Sequence, residues 1–426
     1  MVHRRAFVIS IVGGAALAAS WSASGAPALP PSSPPFSIVP PHDVQVDPSI
    51  VPFSRLRPLR RVPGADARTP GVEQLGEIVI LEGDDEIVSD DGSGGFGIVY
   101  TQSRQDPPAI TQRFFSAYPD EFDEIAIFTT FPDSGSPGAL AYEISTQQDE
   151  TGLGPRPGKP AIWDETAAWG STKKRLHAFL DLKGVDDYPK FDGLAIDDPR
   201  SFFYPVLGQE FAHRWLAFAR YRDTFGLISE RLLGRDGTHW SPLAQTWASV
   251  MDGNEWIALD DGTFTCAARM RRYAPLDMYL MGLVPPREVT PFFVINGART
   301  DGGHLVDAAA DWTTCEHVSG AREDISIEQV IDALGPREPA FPDAPREFRM
   351  AFVLVTRPGE RAGDVVRTTE QLERVRRIWE EKFAEYSMGH GSVCTQVSAP
   401  CGAAVARIVA GSVTEAGGDG DGVIEP

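Results

Sequence analysis

Residues 202–218 restrict the fold of this chain more than any other stretch, because they are nearly all apolar yet carry Gln209, Glu210 and His213 at their centre. Leu207, Phe211, Trp215 and Phe218 recur at spacings of four, four and three, the period of a helix that buries one stripe. The spacing predicts a helix over about 204–222, with Pro205 in its first turn, where a missing N–H is tolerated. Gln209 and His213 lie four apart beside the stripe, with Glu210 next to them. Ionisable groups bordering a buried stripe are costly unless partners meet them, so other parts of the chain must supply partners.

Arg4 and Arg5 precede an apolar segment over 6–19, and small residues follow, with Ser24 and Ala26 at a cleavage site. This is the pattern of an export signal over residues 1–26, and residues 4–8 also resemble a twin-arginine signal. The expected location is therefore secreted or periplasmic. No later stretch reaches the roughly 18 uninterrupted apolar residues of a membrane span. Loss of Arg4 and Arg5 with the signal would take the formal net charge from −21 to −23. That balance argues against nucleic acid as a partner. It also attracts Ca²⁺, without defining a site for it. The four cysteines allow three pairings. Because exported thiols tend to be oxidised, the expected pairs are Cys394 with Cys401, a local clip, and Cys266 with Cys315 across the core domain.

Residues 27–75 are rich in proline and carry Arg55, Arg57, Arg60 and Arg61, as in an extended tether or pro-segment. Regular structure is expected from Gly76. Residues 77–81 and 96–100 read as two strands joined by an acidic turn region containing Asp84, Asp85, Asp90 and Asp91. Those carboxylates keep Ca²⁺ as a secondary cofactor expectation, although the regular spacing of a calcium loop is missing. Residues 110–117 read as a short helix and 124–131 as a buried strand, an order that predicts a mixed α/β layer. Strands are also expected near 140–145, 292–295 and 350–356. A turn-rich hairpin over 252–265, a short helix ending at Gly282, and amphipathic helices at 325–334 and 368–386 complete the reading. Residues 173–182 fit a strand or a helix. One domain is thus expected over 76–390. Residues 391–426 turn Gly-, Ala- and Asp-rich, like a linker and the start of a further β module.

Gln209-Glu210-x-x-His213 is one residue short of H-E-x-x-H, in which two histidines on one helix face hold zinc and the glutamate activates a metal-bound water. Such a site needs about three protein ligands, an open position and a carboxylate base. Glu210 is the candidate base and His213 a candidate ligand. His239, 26 residues further on in a loop-like stretch, is the next candidate ligand, and Asp277 stands behind it. Gln209 can offer an amide oxygen, a poor zinc ligand beside imidazole. No nucleophile elbow, P-loop or dinucleotide fingerprint competes.

Residues 206–215, V-L-G-Q-E-F-A-H-R-W, resemble the active-site helix of secreted bacterial zincin metallopeptidases. Residues 273–289, Y-A-P-L-D-M-Y-L-M-G-L-V-P-P-R-E-V, are similar to the segment after that helix in immune-inhibitor-A-like peptidases. The likeness covers about residues 76–390. It implies an α+β, zincin-like domain with a mixed sheet and a central active-site helix, zinc as cofactor, and a protein or peptide substrate hydrolysed by a metal-bound water with Glu210 as general base. Only Glu210 and His213 match the family motif, and Gln209 stands where the family has its first zinc histidine. The competing expectation is a catalytically inactive scaffold acting as a surface or extracellular binding module. A third expectation, glycan binding, rests only on the nine tryptophans, which usually serve cores.

Overall fold

The computed structural model describes residues 71–84, 87–90, 96–98, 107–132, 140–309, 314–398 and 401. The expected export signal and most of the tether lie outside the described residues. So do most of the C-terminal segment and Asp85 and Asp91 of the acidic turn. The chain is mixed α+β, as expected. Its elements are β1 (Val72–Leu75), β2 (Ile78–Glu82), α1 (Pro108–Ala117), β3 (Glu124–Thr129), β4 (Tyr142–Ser145), β5 (Ala178–Gly184) and α2 (Phe203–Ala212). There follow β6 (Asn254–Ala258), β7 (Thr263–Arg269), α3 (Pro275–Leu280), β8 (Phe292–Thr300), β9 (Val318–Ile325), α4 (Ile327–Leu334), β10 (Glu347–Thr356), α5 (Ala362–Tyr386) and β11 (Ser392–Cys394).

The main sheet runs β1-β2-β10-β3-β5-β4, with β11 also pairing β10. Its inner pairs are parallel, and β1 and β4 close the two ends antiparallel. Central parallel strands are covered on both faces and so read as continuous apolar runs, as 125–128 of β3 and 350–355 of β10 do. Ile125, Ile127, Val353 and Val355 face Ile110 and Phe114 of α1. Ala126, Phe128, Phe352 and Leu354 face α2 and α5. Phe211 of α2 meets the rings of Trp215, Phe348, Trp379 and Phe383 at centroid distances of 5.0–5.8 Å. Gly208 lets Tyr386 of α5 pack closely on α2, where a Cβ would lie 3.1 Å from the Tyr386 ring. The second sheet, β6-β7-β9-β8, encloses Trp256, Phe264 and Phe293.

Both expected disulfides form, Cys266–Cys315 and Cys394–Cys401, with Cα separations of 5.0 and 6.0 Å. Two expectations need correction. Strand β1 lies inside the stretch assigned to the tether, where four residues suffice to pair with β2. Among the described residues, 77–81 and 96–98 do not pair with each other. The first joins β1 and β10, while Phe96–Ile98 forms a separate hairpin with Val88–Asp90. The ambiguous 173–182 stretch yields strand β5, whose whole length is buried between β3 and β4. Among the described residues no helix is long and apolar enough to cross a membrane.

Candidate functional site

Helix α2 ends at Ala212 and is capped by His213, well short of Arg222. The last carbonyls of a helix lack intrahelical partners and carry the negative end of its dipole. Here Arg156 Nη2 donates to the carbonyl oxygens of His213, at 3.0 Å, and Arg214. Ala217 then adopts φ of +64°, and the apolar residues Trp215–Ala219 continue into the core as loop. Gln209, Glu210 and His213 therefore lie on the last turn of a short helix, all buried.

The loop after this helix returns to it. The His213 and His239 rings meet edge to face with centroids 4.9 Å apart. His239 Nδ1 lies 3.1 Å from the Arg235 carbonyl oxygen, an acceptor only, so Nδ1 carries the proton and Nε2 the lone pair. Arg235 Nη2 donates to that lone pair at 2.9 Å. Burial, followed by the Arg235 charge, lowers the His239 pKa to about 3. His213 is also pushed well below its ordinary value, by burial first and then by His239, Arg156 and Arg235. Both rings are neutral at pH 7.

Sequence reasoning missed Arg235 and Asp252. Asp252 Oδ2 accepts from Arg235 Nε at 3.2 Å and Nη2 at 2.9 Å, and Oδ1 accepts from Gln209 Nε2 at 2.9 Å. The run Gln209, Asp252, Arg235, His239 thus joins the helix to two loops. The available signal was only that Arg235 stands four residues before His239 in a Gly-rich turn, and that Asp252 precedes Gly253. Glu210 makes no side-chain hydrogen bond among the described residues. Its pKa is raised to about 8, mainly by burial and then by the Glu143 charge, with Asp252 and Asp181 adding and Arg235 opposing.

Asp277 is not brought into this group. It accepts from Trp240 Nε1 at 2.7 Å, Ser249 Oγ at 2.6 Å and the Ala274 amide at 2.7 Å. The last of these caps the first turn of α3. Trp240→Phe would remove one of those donors from a fully buried carboxylate. The expected loss is about 1–3 kcal/mol in urea unfolding, whereas a ligand role for Asp277 would predict a change in metal affinity instead.

Zinc in a catalytic site takes three good donors. The residues here supply two imidazoles and a neutral amide oxygen, and the lone pair of one imidazole is engaged by a guanidinium. Among the described residues no group of three or more His, Cys, Asp and Glu side chains is placed to hold a metal ion. These residues do not fit a catalytic zinc ion. The acidic cluster expected to attract Ca²⁺ lies partly outside the described residues. No protein-family model, curated protein or solved structure matches this chain.

Proposed function

We propose that this chain is an exported, zincin-like scaffold that binds a protein or peptide partner without cleaving it. The observation that carries the reading is the diversion of Asp277 into Trp240, Ser249 and the α3 N-terminus. It leaves two imidazoles and an amide as the candidate donors that accompany Glu210. The zincin-like part is supported by a mixed sheet against which the helix bearing Glu210 and His213 packs, in contact with both β4 and β5. The partner class is supported by β4, which pairs on one side only, with β5, among the described residues. An unpaired strand edge accepts an extended chain through main-chain hydrogen bonds. Glycan binding has less support, because Trp169, Trp215, Trp240, Trp256 and Trp379 are core residues, while Trp163 and Trp247 are half-buried.

One observation favours the hydrolytic reading, the neutral His213–His239 pair, whose His213 lies three residues after Glu210 at the end of the same helix. The two readings separate with a fluorescein-labelled, unstructured polypeptide. We expect a rise in anisotropy that survives a chelator, and no new fragments on a gel. Fragments that vanish both with the chelator and in Glu210→Ala would overturn the binding-only reading.

A further inference from the structure

We infer that Arg235 is a built-in cation standing in for a metal ion, its guanidinium joining His239 and Asp252 and closing the centre against zinc. This rests on the non-hydrolytic reading and names what fills its centre.

A metal-bound imidazole usually donates its other ring N–H to a carbonyl or carboxylate, which fixes the tautomer and aims the lone pair at the cation. His239 has that arrangement, with Nδ1–H on the Arg235 carbonyl and Nε2 presented outward. The cation it meets is the guanidinium of the same residue, at 2.9 Å. Arg235 forms part of a tight turn, Arg235–Gly237, so its own backbone holds the ring while its side chain takes the ring's lone pair. Asp252 supplies the countercharge, accepting two guanidinium N–H groups on one oxygen.

Gln209 fits the same logic. Its amide nitrogen donates to the other Asp252 oxygen, whereas a neutral imidazole there would have to donate one ring N–H to Asp252 or turn its lone pair toward an arginine already in place. A buried carboxylate between an amide donor and a guanidinium is satisfied without a metal. Zinc could enter only by removing the guanidinium from His239 and leaving Arg235 and Asp252 to re-pair. The glutamine and the arginine therefore act as one device, and restoring histidine at 209 alone leaves the guanidinium on His239.

The test is Zn²⁺ binding to the full chain by equilibrium dialysis, comparing the unaltered protein with Arg235→Ala, Gln209→His and the double variant, with near-UV circular dichroism confirming each fold. The double variant is expected to bind zinc on the order of 100-fold more tightly than Gln209→His alone, and the unaltered chain to hold none. Equal affinity of Gln209→His and the double variant would overturn the inference. A readout that needs no variant is the ¹⁵N spectrum of the unaltered chain during zinc titration. The His239 resonances should keep the Nδ1–H pattern and stay unmoved, and saturable movement with stoichiometric zinc would also overturn it. Failure of the non-hydrolytic reading shows separately, as fragments of the labelled polypeptide.

Discussion

Glu150→Ala is expected to lower folding stability by about 3–5 kcal/mol, seen as a reduced urea midpoint at unchanged slope. Oε1 of this buried carboxylate accepts from Arg214 Nη2 at 3.1 Å, Trp215 Nε1 at 3.0 Å and Arg337 Nη2 at 3.2 Å. Burial raises its pKa, but Arg214 and then Arg337 outweigh that and hold it below the usual range. Arg214 depends heavily on it, because among the described residues its Nε and Nη1 have no hydrogen-bond partner and Asp123 lies 4.0 Å away. Without the carboxylate, two guanidiniums stay buried with their principal countercharge gone. Arg337 would keep its bonds to the carbonyl oxygens of Leu280 and Pro339, and Arg214 would keep its contact with the Trp215 ring at 4.4 Å, so the loss stops short of complete unfolding. The exposed Arg222–Asp332 pair gives the internal comparison. Surface pairs are worth about 0–1 kcal/mol, and Asp332→Asn should change the midpoint little. Equal effects at the two sites would refute the role of Glu150.

The elements legible in the sequence are those whose own residues determine them. Strands β3 and β10 carry apolar runs at 125–128 and 350–355, and α5 shows its period. The turn before His239 returns to α2 because a loop of that length can. What stayed hidden depends on partners far away in the chain. The apolar period of α2 continues past His213, where the helix ends, and the guanidinium that meets its last carbonyls belongs to Arg156, more than fifty positions earlier. Asp277 looked available for a metal because nothing local reveals that Trp240 and Ser249 meet it. Arg235 and Asp252 lie in turns, where an arginine or an aspartate is the commonplace choice, so no pattern marked the contact that decides the chemistry of the centre. The Cys266–Cys315 pairing rested on chemistry and position, and the second sheet supplies its reason by setting β7 beside the segment that leads into β9.

The stability of the unaltered chain should fall relative to Glu210→Gln as pH rises from about 5 to 9. Glu210 has a folded pKa of about 8 against an ordinary value of 4.5. Between those values the folded chain keeps a proton that the unfolded chain has released, so the contribution is complete below pH 4.5 and is lost as pH climbs through 8. One pH unit within that window is worth about 1.4 kcal/mol, and the whole span is on the order of 5 kcal/mol. Glutamine cannot ionise, so the difference between the two proteins isolates this one group. His239 has the opposite sign. Its folded pKa of about 3 gives a contribution present above pH 6.5 and lost as pH falls toward 3, and Glu210→Gln leaves that limb in place. Urea unfolding of both proteins at pH 5, 7 and 9 checks the difference, and parallel curves would mean that Glu210 is ionised throughout. The result also bears on function. A carboxyl that holds its proton at pH 7 cannot accept one from water, so a general base at this position would need a nearby cation strong enough to ionise it. Arg235 lowers the Glu210 pKa without overcoming burial and the Glu143 charge. A doubly charged ion bound by the Gln209→His/Arg235→Ala protein should do more, moving the falling limb of its stability curve to lower pH when zinc is added.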